Sequence, residues 1–192
     1  MERKQFLYQI TGGTAAILLM DNPLSAQSGK QPGAPVANKQ VTPASINQTA
    51  PAPQEPAPFP TDLVKEFVIA GHGDFPKVKS MLVEHPNLIY SKFDWGNGDF
   101  EAAIEGAGHV GNKEIANYLL AAGSRVTIYV LAMLGRGDLV KPILTAYPDL
   151  ITAKGPHGFT LLHHAKVGGA ESQDLYAWLQ EKGQTQDWVK LR

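Results

Sequence analysis

Between residues 78 and 183 the chain repeats one local figure four times: an apolar leader, two more apolar residues three and four places on, and a helix breaker eight places on. The apolar sets are Val78, Met81 and Leu82; Ile115, Tyr118 and Leu119; Val140, Ile143 and Leu144; Leu175, Trp178 and Leu179. The breakers are Pro86, Gly123, Pro148 and Gly183. Spacings of three and four place these side chains on one face of an α-helix. Proline stops a helix because it has no amide hydrogen to donate, and glycine because it accepts a left-handed cap. A small alanine lies upstream of each leader, at Ala70, Ala107, Ala132 and Ala165. From Thr61 onward no sustained two-residue alternation appears, so the pattern predicts an all-α domain over 61–192 built from four units of two short helices. A single helix pair cannot cover its own apolar face, and neighbouring pairs must therefore stack.

The leaders are 37, 25 and 35 residues apart. The long first step enlarges the connection between the first two units, and the short second step leaves almost no room for one between the second and third. The array is expected to be irregular. The polar start at Thr61 to Glu66 and the charged tail EKGQTQDWVKLR are expected to cap its ends, with Trp188 packing back on the last helix.

GFTLLHHA, Gly158 to Ala165, is similar to the ankyrin pattern GxTPLHxA, with Leu161 in the proline position. Thr127, Ile128, Tyr129 and Ala132 echo it one unit earlier, and GNKEIANYLLAAG, Gly111 to Gly123, resembles a second ankyrin helix. The resemblance covers roughly residues 61–185. It implies an ankyrin repeat solenoid of about four irregular helix-turn-helix units, with protein binding as the class of function, no enzymatic activity and no cofactor. Gly158, Thr160, Leu162, His163 and Ala165 match the structural motif, in which the histidine ties a turn to its neighbour by hydrogen bonding. The residues agree with that role. Thr160 is placed to cap a helix by accepting an amide hydrogen from Leu162 or His163, and adjacent helical residues point about 100° apart, so His163 and His164 cannot easily grip one metal ion.

At the N-terminus, Arg3 and Lys4 precede a mildly apolar stretch from Phe6 to Met20, then Asn22-Pro23 and the small-residue step Ser25-Ala26. That order reads as a cleaved export signal over 1–26. Arg3, Lys4, Gln5, Phe6 and Leu7 resemble the core of a twin-arginine signal, with Lys4 in the second arginine's place, which implies a periplasmic or otherwise exported protein. The apolar run is too short to span a bilayer, so no membrane span is expected after signal removal. Nine of the chain's 14 prolines fall between Asn22 and Pro60, and the segment 27–60 has too few large apolar side chains to fold. It reads as a disordered Pro-rich linker.

Seventeen basic residues against 18 acidic ones, with no basic run, argue against nucleic acid as a partner. The absence of cysteine excludes thiolate nucleophiles, disulfides and Cys-ligated zinc. Gly106, Gly108 and Gly111 form a GxGxxG, but no buried strand precedes it and no acidic residue follows at the distance a ribose requires. These glycines read as sites of close helix packing. Glu101, Glu105 and His109 fall four apart, a stripe that could pair an acid with a base or hold a weakly bound metal ion in an enzyme or sensor. The same spacing describes a solvated helical face, the reading adopted, and no metal ligands are assigned. The enlarged connection SKFDWGNGDF interleaves Phe93, Trp95 and Phe100 with Asp94, Asn97 and Asp99. Aromatic side chains displayed beside polar ones are what protein interfaces use as anchors, and these six residues, together with the concave face of the array, are the candidate surface for binding another protein. The competing reading folds Trp95 and Phe100 back onto the first two helix pairs.

Overall fold

The computed structural model describes residues 56–191. The segments read as an export signal and, but for its last residues, as a linker lie outside this range. The described chain is mostly helical, in four successive pairs: α1 (Thr61–Gly71) with α2 (Phe75–Glu84), α3 (Ala103–Val110) with α4 (Lys113–Ala121), α5 (Ile128–Met133) with α6 (Gly137–Ala146), and α7 (Leu161–Val167) with α8 (Gln173–Glu181). The first helices pack on one another in order, α1 on α3, α3 on α5 and α5 on α7. No helix among the described residues is long and apolar enough to cross a membrane.

The repeated figure and the structure coincide because its leaders and the alanines upstream of them are core, although Ile143 is exposed. Val78, Ile115, Val140 and Leu175 are all buried, as are the upstream alanines Ala70, Ala107, Ala132 and Ala165. Small side chains are needed there because the first helices approach closely. At Gly71 the approach is closer still: a Cβ would stand 2.3 Å from the carbonyl oxygen of Ala103 on α3. Two apolar clusters result, one under the first two pairs and one under the last two. Helix α5 joins them, with Val130 and Met133 in the first and Tyr129 and Ala132 in the second.

Local chemistry sets the boundaries. Asp74 caps α2 by accepting from the Lys77 amide at 3.1 Å, and Asn112 caps α4 by accepting from Ile115 at 3.1 Å. Thr160 caps α7 through the His163 amide at 3.3 Å, as expected. Gly123 and Gly183 sit at φ +95° and +88° behind α4 and α8, while Pro86 and Pro148 open short 3₁₀ turns behind α2 and α6. The folded part begins slightly before Thr61, because Phe59 packs on the first cluster and its ring meets that of His85 at 6.0 Å.

The enlarged first connection is a small antiparallel hairpin, β1 (Phe93–Asp94) paired with β2 (Phe100–Glu101). Between α4 and α5, where the short step left no room, there is no strand. The tail departs from expectation. Trp188 is half exposed and packs on the segment before α7 instead of the last helix: it pairs with Phe159, and its indole N–H donates to the His157 carbonyl at 2.6 Å. Asp187 adds to this join by accepting from the Thr160 amide at 3.0 Å. The reason is backbone pairing: the Val189 amide donates to the Gly158 carbonyl at 2.9 Å beside the Thr160–Asp187 bond, partners that a helix face, whose amides and carbonyls bond internally, does not offer.

Candidate functional site

The expected stripe of Glu101, Glu105 and His109 does not form. Helix α3 starts at Ala103, so Glu101 belongs to the strand β2 and is turned inward, and all three residues are buried instead of solvated. Glu105 is taken up locally. Its Oε2 accepts from the Ala102 amide at 2.9 Å, half of a capping box because alanine supplies no side-chain acceptor in return, and from Lys92 Nζ at 2.8 Å. Glu101 and His109 do meet, with Nδ1 of His109 3.2 Å from Oε1.

Two histidines outside the expected set complete the group. His72, just beyond the end of α1, brings Nε2 to 3.4 Å from Glu101 Oε1, and His157, before α7, brings Nε2 to 3.3 Å from Oε2. One donor atom from each of the four residues lies within 4.8 Å of every other. The outward atoms are held as well. His72 Nδ1 is 3.0 Å from the Val68 carbonyl, His157 Nδ1 is 2.8 Å from Asp99 Oδ2, and Trp95 Nε1 donates to Glu101 Oε2 at 2.8 Å. Gly106 makes room for this arrangement: a Cβ there would stand 2.7 Å from His72 Cε1.

The four side chains tune one another. Burial pushes His109 down to about 4, against the pull of the Glu101 charge. The Glu101 carboxylate raises His72 above its ordinary value. Burial alone would raise Glu101, yet His72, His109 and the Trp95 N–H hold it below the usual carboxylate range. The group can therefore carry a buried negative charge at neutral pH, ringed by imidazole nitrogens.

No family model matches the chain, and no curated protein matches it.

The six hairpin residues divide between the two readings of the loop. Asp94 accepts from the Gly96 amide and Asp99 accepts from both the amide and the ring of His157, so both acids shape the turn and its seat. Asn97 supplies the tight turn at φ +55°, a conformation asparagine tolerates. Phe93 is half-buried against the core, with its ring 4.8 Å from that of Trp95. Trp95 remains 37% exposed while donating to Glu101, and Phe100 is 52% exposed. Phe100 also walls a cleft of about 250 Å³ with Lys92, Tyr129, Lys154 and Leu191.

The adjacent histidines of the LHHA run are both held by contacts within the fold. His163 Nε2 lies 2.8 Å from the His109 carbonyl, tying α7 to α3, and its ring stacks on Phe159 at 4.2 Å. His164 is fully buried, with Nδ1 2.7 Å from the Thr160 carbonyl. The GxGxxG glycines serve packing: Gly106 faces His72 and Gly108 faces Val130.

Sequence reasoning missed His72 and His157. One signal for His72 was present: Ala70-Gly71-His72 and Ala107-Gly108-His109 are the same tripeptide 37 residues apart, the step between the first two leaders. Stacked repeats put equivalent positions side by side, and the two imidazole centroids are 4.7 Å apart.

Proposed function

We propose that this chain is an exported, non-enzymatic protein-binding module of the ankyrin repeat type, and that it engages another protein through the hairpin 91–100 and the adjoining cleft. The carrying observation is that the hairpin offers exposed aromatic groups on a tip whose polar groups are already fixed. Trp95 and Phe100 face solvent, while Trp95 Nε1, Asp99 and Asp94 are each hydrogen bonded to Glu101, His157 or the turn itself. A surface fixed in advance loses little conformational entropy on binding, and aromatic anchors contribute most of the energy of typical interfaces. The cleft beside Phe100 is below the usual size of a cofactor site and suits one inserted side chain of the partner.

Three features support the repeat reading. The first helices pack in chain order, Thr160 caps α7, and His163 ties its turn to α3 through the His109 carbonyl, a structural hydrogen bond of the kind the GxTPLHxA pattern assigns to that histidine. The export reading rests on the order of charge, apolar run and small residues at the N-terminus.

A Phe100→Ala variant tests the interface cleanly, because its ring is half exposed. Affinity capture with the wild-type chain is expected to recover a saturable partner, and the variant to bind it with a loss of about 2 kcal/mol, roughly 30-fold. Equal capture by the two removes the hairpin from the interface. A second reading, that Glu101 and its histidines hold an ion, is favoured by the convergence of four donor atoms.

A further inference from the structure

While their rings are neutral, the hydrogen bonds of His72 and His157 leave the nitrogens nearest Glu101 without protons to offer it. A carbonyl oxygen only accepts, so Nδ1 of His72 carries the proton in its contact with Val68, and Nε2 of the neutral ring presents a lone pair. That lone pair stands 3.4 Å from Glu101 Oε1. The carboxylate of Asp99 likewise takes the proton on His157 Nδ1, which leaves Nε2 bare 3.3 Å from Glu101 Oε2. Between His109 Nδ1 and Glu101 Oε1 the approach is 3.2 Å, yet both atoms are buried without a hydrogen-bond partner. With neutral rings, two nitrogen lone pairs and the unbonded Nδ1 of His109 thus face a fully buried carboxylate that receives one clear proton donor, Trp95. Such an arrangement is repulsive unless positive charge stands among the four groups.

We infer that His72, His109, His157 and Glu101 bind one divalent transition-metal ion of the zinc class. Ligands about 2.1 Å from a common ion at tetrahedral angles lie about 3.4 Å from each other; His72 Nε2 and His109 Nδ1 stand 3.4 and 3.2 Å from Glu101 Oε1, His157 Nε2 stands 3.3 Å from its Oε2, and one donor atom of each residue lies within 4.8 Å of all the others. Three imidazoles and one carboxylate suit zinc and its first-row neighbours, whereas magnesium and calcium prefer oxygen throughout and a soft ion would want the thiolates this chain lacks. The outer contacts are those a metal site uses to fix its ligands: the Val68 carbonyl and Asp99 carboxylate set the tautomers of His72 and His157, and Trp95 steadies Glu101. The ligands come from the end of α1, from β2, from α3 and from the segment before α7, so the ion joins the first, second and fourth helix pairs. His72 and His157 are each about 30% exposed, which gives the ion its way in. This site is separate from the protein-binding reading, although Trp95 and Asp99 link it to the base of the hairpin.

The test is to strip the tag-free 192-residue chain with a chelator and titrate it with Zn²⁺ by calorimetry and with Co²⁺ by visible absorption. One equivalent of each is expected, with the intense d–d bands of four-coordinate Co²⁺. Glu101→Gln and His109→Gln alter buried positions and can fail by misfolding, so the decisive variants are His72→Gln and His157→Gln. Each is expected to weaken binding at least ~10-fold while the metal-free melting temperature stays within about 3 °C. His85→Gln, outside the cluster, is expected to bind like the wild type. No stoichiometric uptake by the wild-type chain, or uptake unchanged in the His72→Gln, His157→Gln double variant, overturns the site and leaves a protonated imidazole as Glu101's counter-charge.

Discussion

Replacing Gly106 by alanine sets helix propensity against the geometry of the histidine cluster. The new Cβ would stand 2.7 Å from Cε1 and 2.8 Å from Nδ1 of His72, about 1 Å inside ordinary contact. Helix α3 cannot retreat, because Gly108 and Ala107 are packed on its other sides, so the ring must move. Its Nδ1 bond to Val68 at 3.0 Å and its approach to Glu101 at 3.4 Å cannot both survive a shift of that size. Alanine gains about 1 kcal/mol over glycine inside a helix. Against this stand about 1–3 kcal/mol for the crowded contact and about 1 kcal/mol for the lost hydrogen bond. The expected sum is a loss of about 1–3 kcal/mol, read as the urea midpoint of the far-ultraviolet circular dichroism. The same melts repeated with zinc are expected to show a smaller zinc-dependent gain than the wild type, by about 1.4 kcal/mol for a tenfold loss of affinity. Gly108→Ala is the control, since its Cβ comes closest to the Val130 side chain at 3.1 Å, with the His164 ring at 3.8 Å. A Gly106→Ala protein at least as stable as the wild type, with an unchanged zinc gain, would refute the reasoning.

Stability should fall in mild acid. An unfolded imidazole titrates near 6.5, while burial holds His164 at about 4; between these values unfolding takes up a proton, so the contribution is whole above pH 6.5 and is lost as the pH falls toward 4. The interval corresponds to about 3 kcal/mol, and denaturant midpoints measured from pH 7.5 to 4.5 should drop accordingly in the metal-free chain, with His109 acting in the same direction; a flat profile contradicts it. Phe67→Ala, at a 1% exposed position of the first cluster, should cost about 3–5 kcal/mol in the same melts, and a loss under 1 kcal/mol would mean the first pairs are not the core described. Truncation after Gly183 removes the Trp188 bond to His157 and the Asp187 bonds to Thr160. It should speed amide exchange at Gly158 to Thr160 and leave that of α1 unchanged, whereas uniform exchange would show that the tail does not seat this segment.

The helices were legible because their physics is local. Spacings of three and four, followed by a proline or glycine, record which face each helix buries, and every leader proved to be core. The hairpin was legible only as surplus length, since strands of two residues are too short to show alternation. The histidine cluster was half legible. Glu101 and His109 drew notice as a stripe on a continuous helix, but the helix begins two residues after Glu101, and it is that break which turns the carboxylate inward. His157 carries no local mark at all. It stands 56 residues from Glu101, and only the packing of α7 against the earlier pairs, with the tail holding its carbonyl, brings the two together.

The account stands or falls on whether the hairpin tip meets another protein. The direct measurement is site-specific photo-crosslinking in living cells of the source organism, with a benzophenone amino acid at Phe100 and, as control, at Val83, which is 84% exposed on α2. A discrete adduct from position 100 that position 83 does not give is the predicted result. No adduct at position 100, or the same adduct from both, contradicts it.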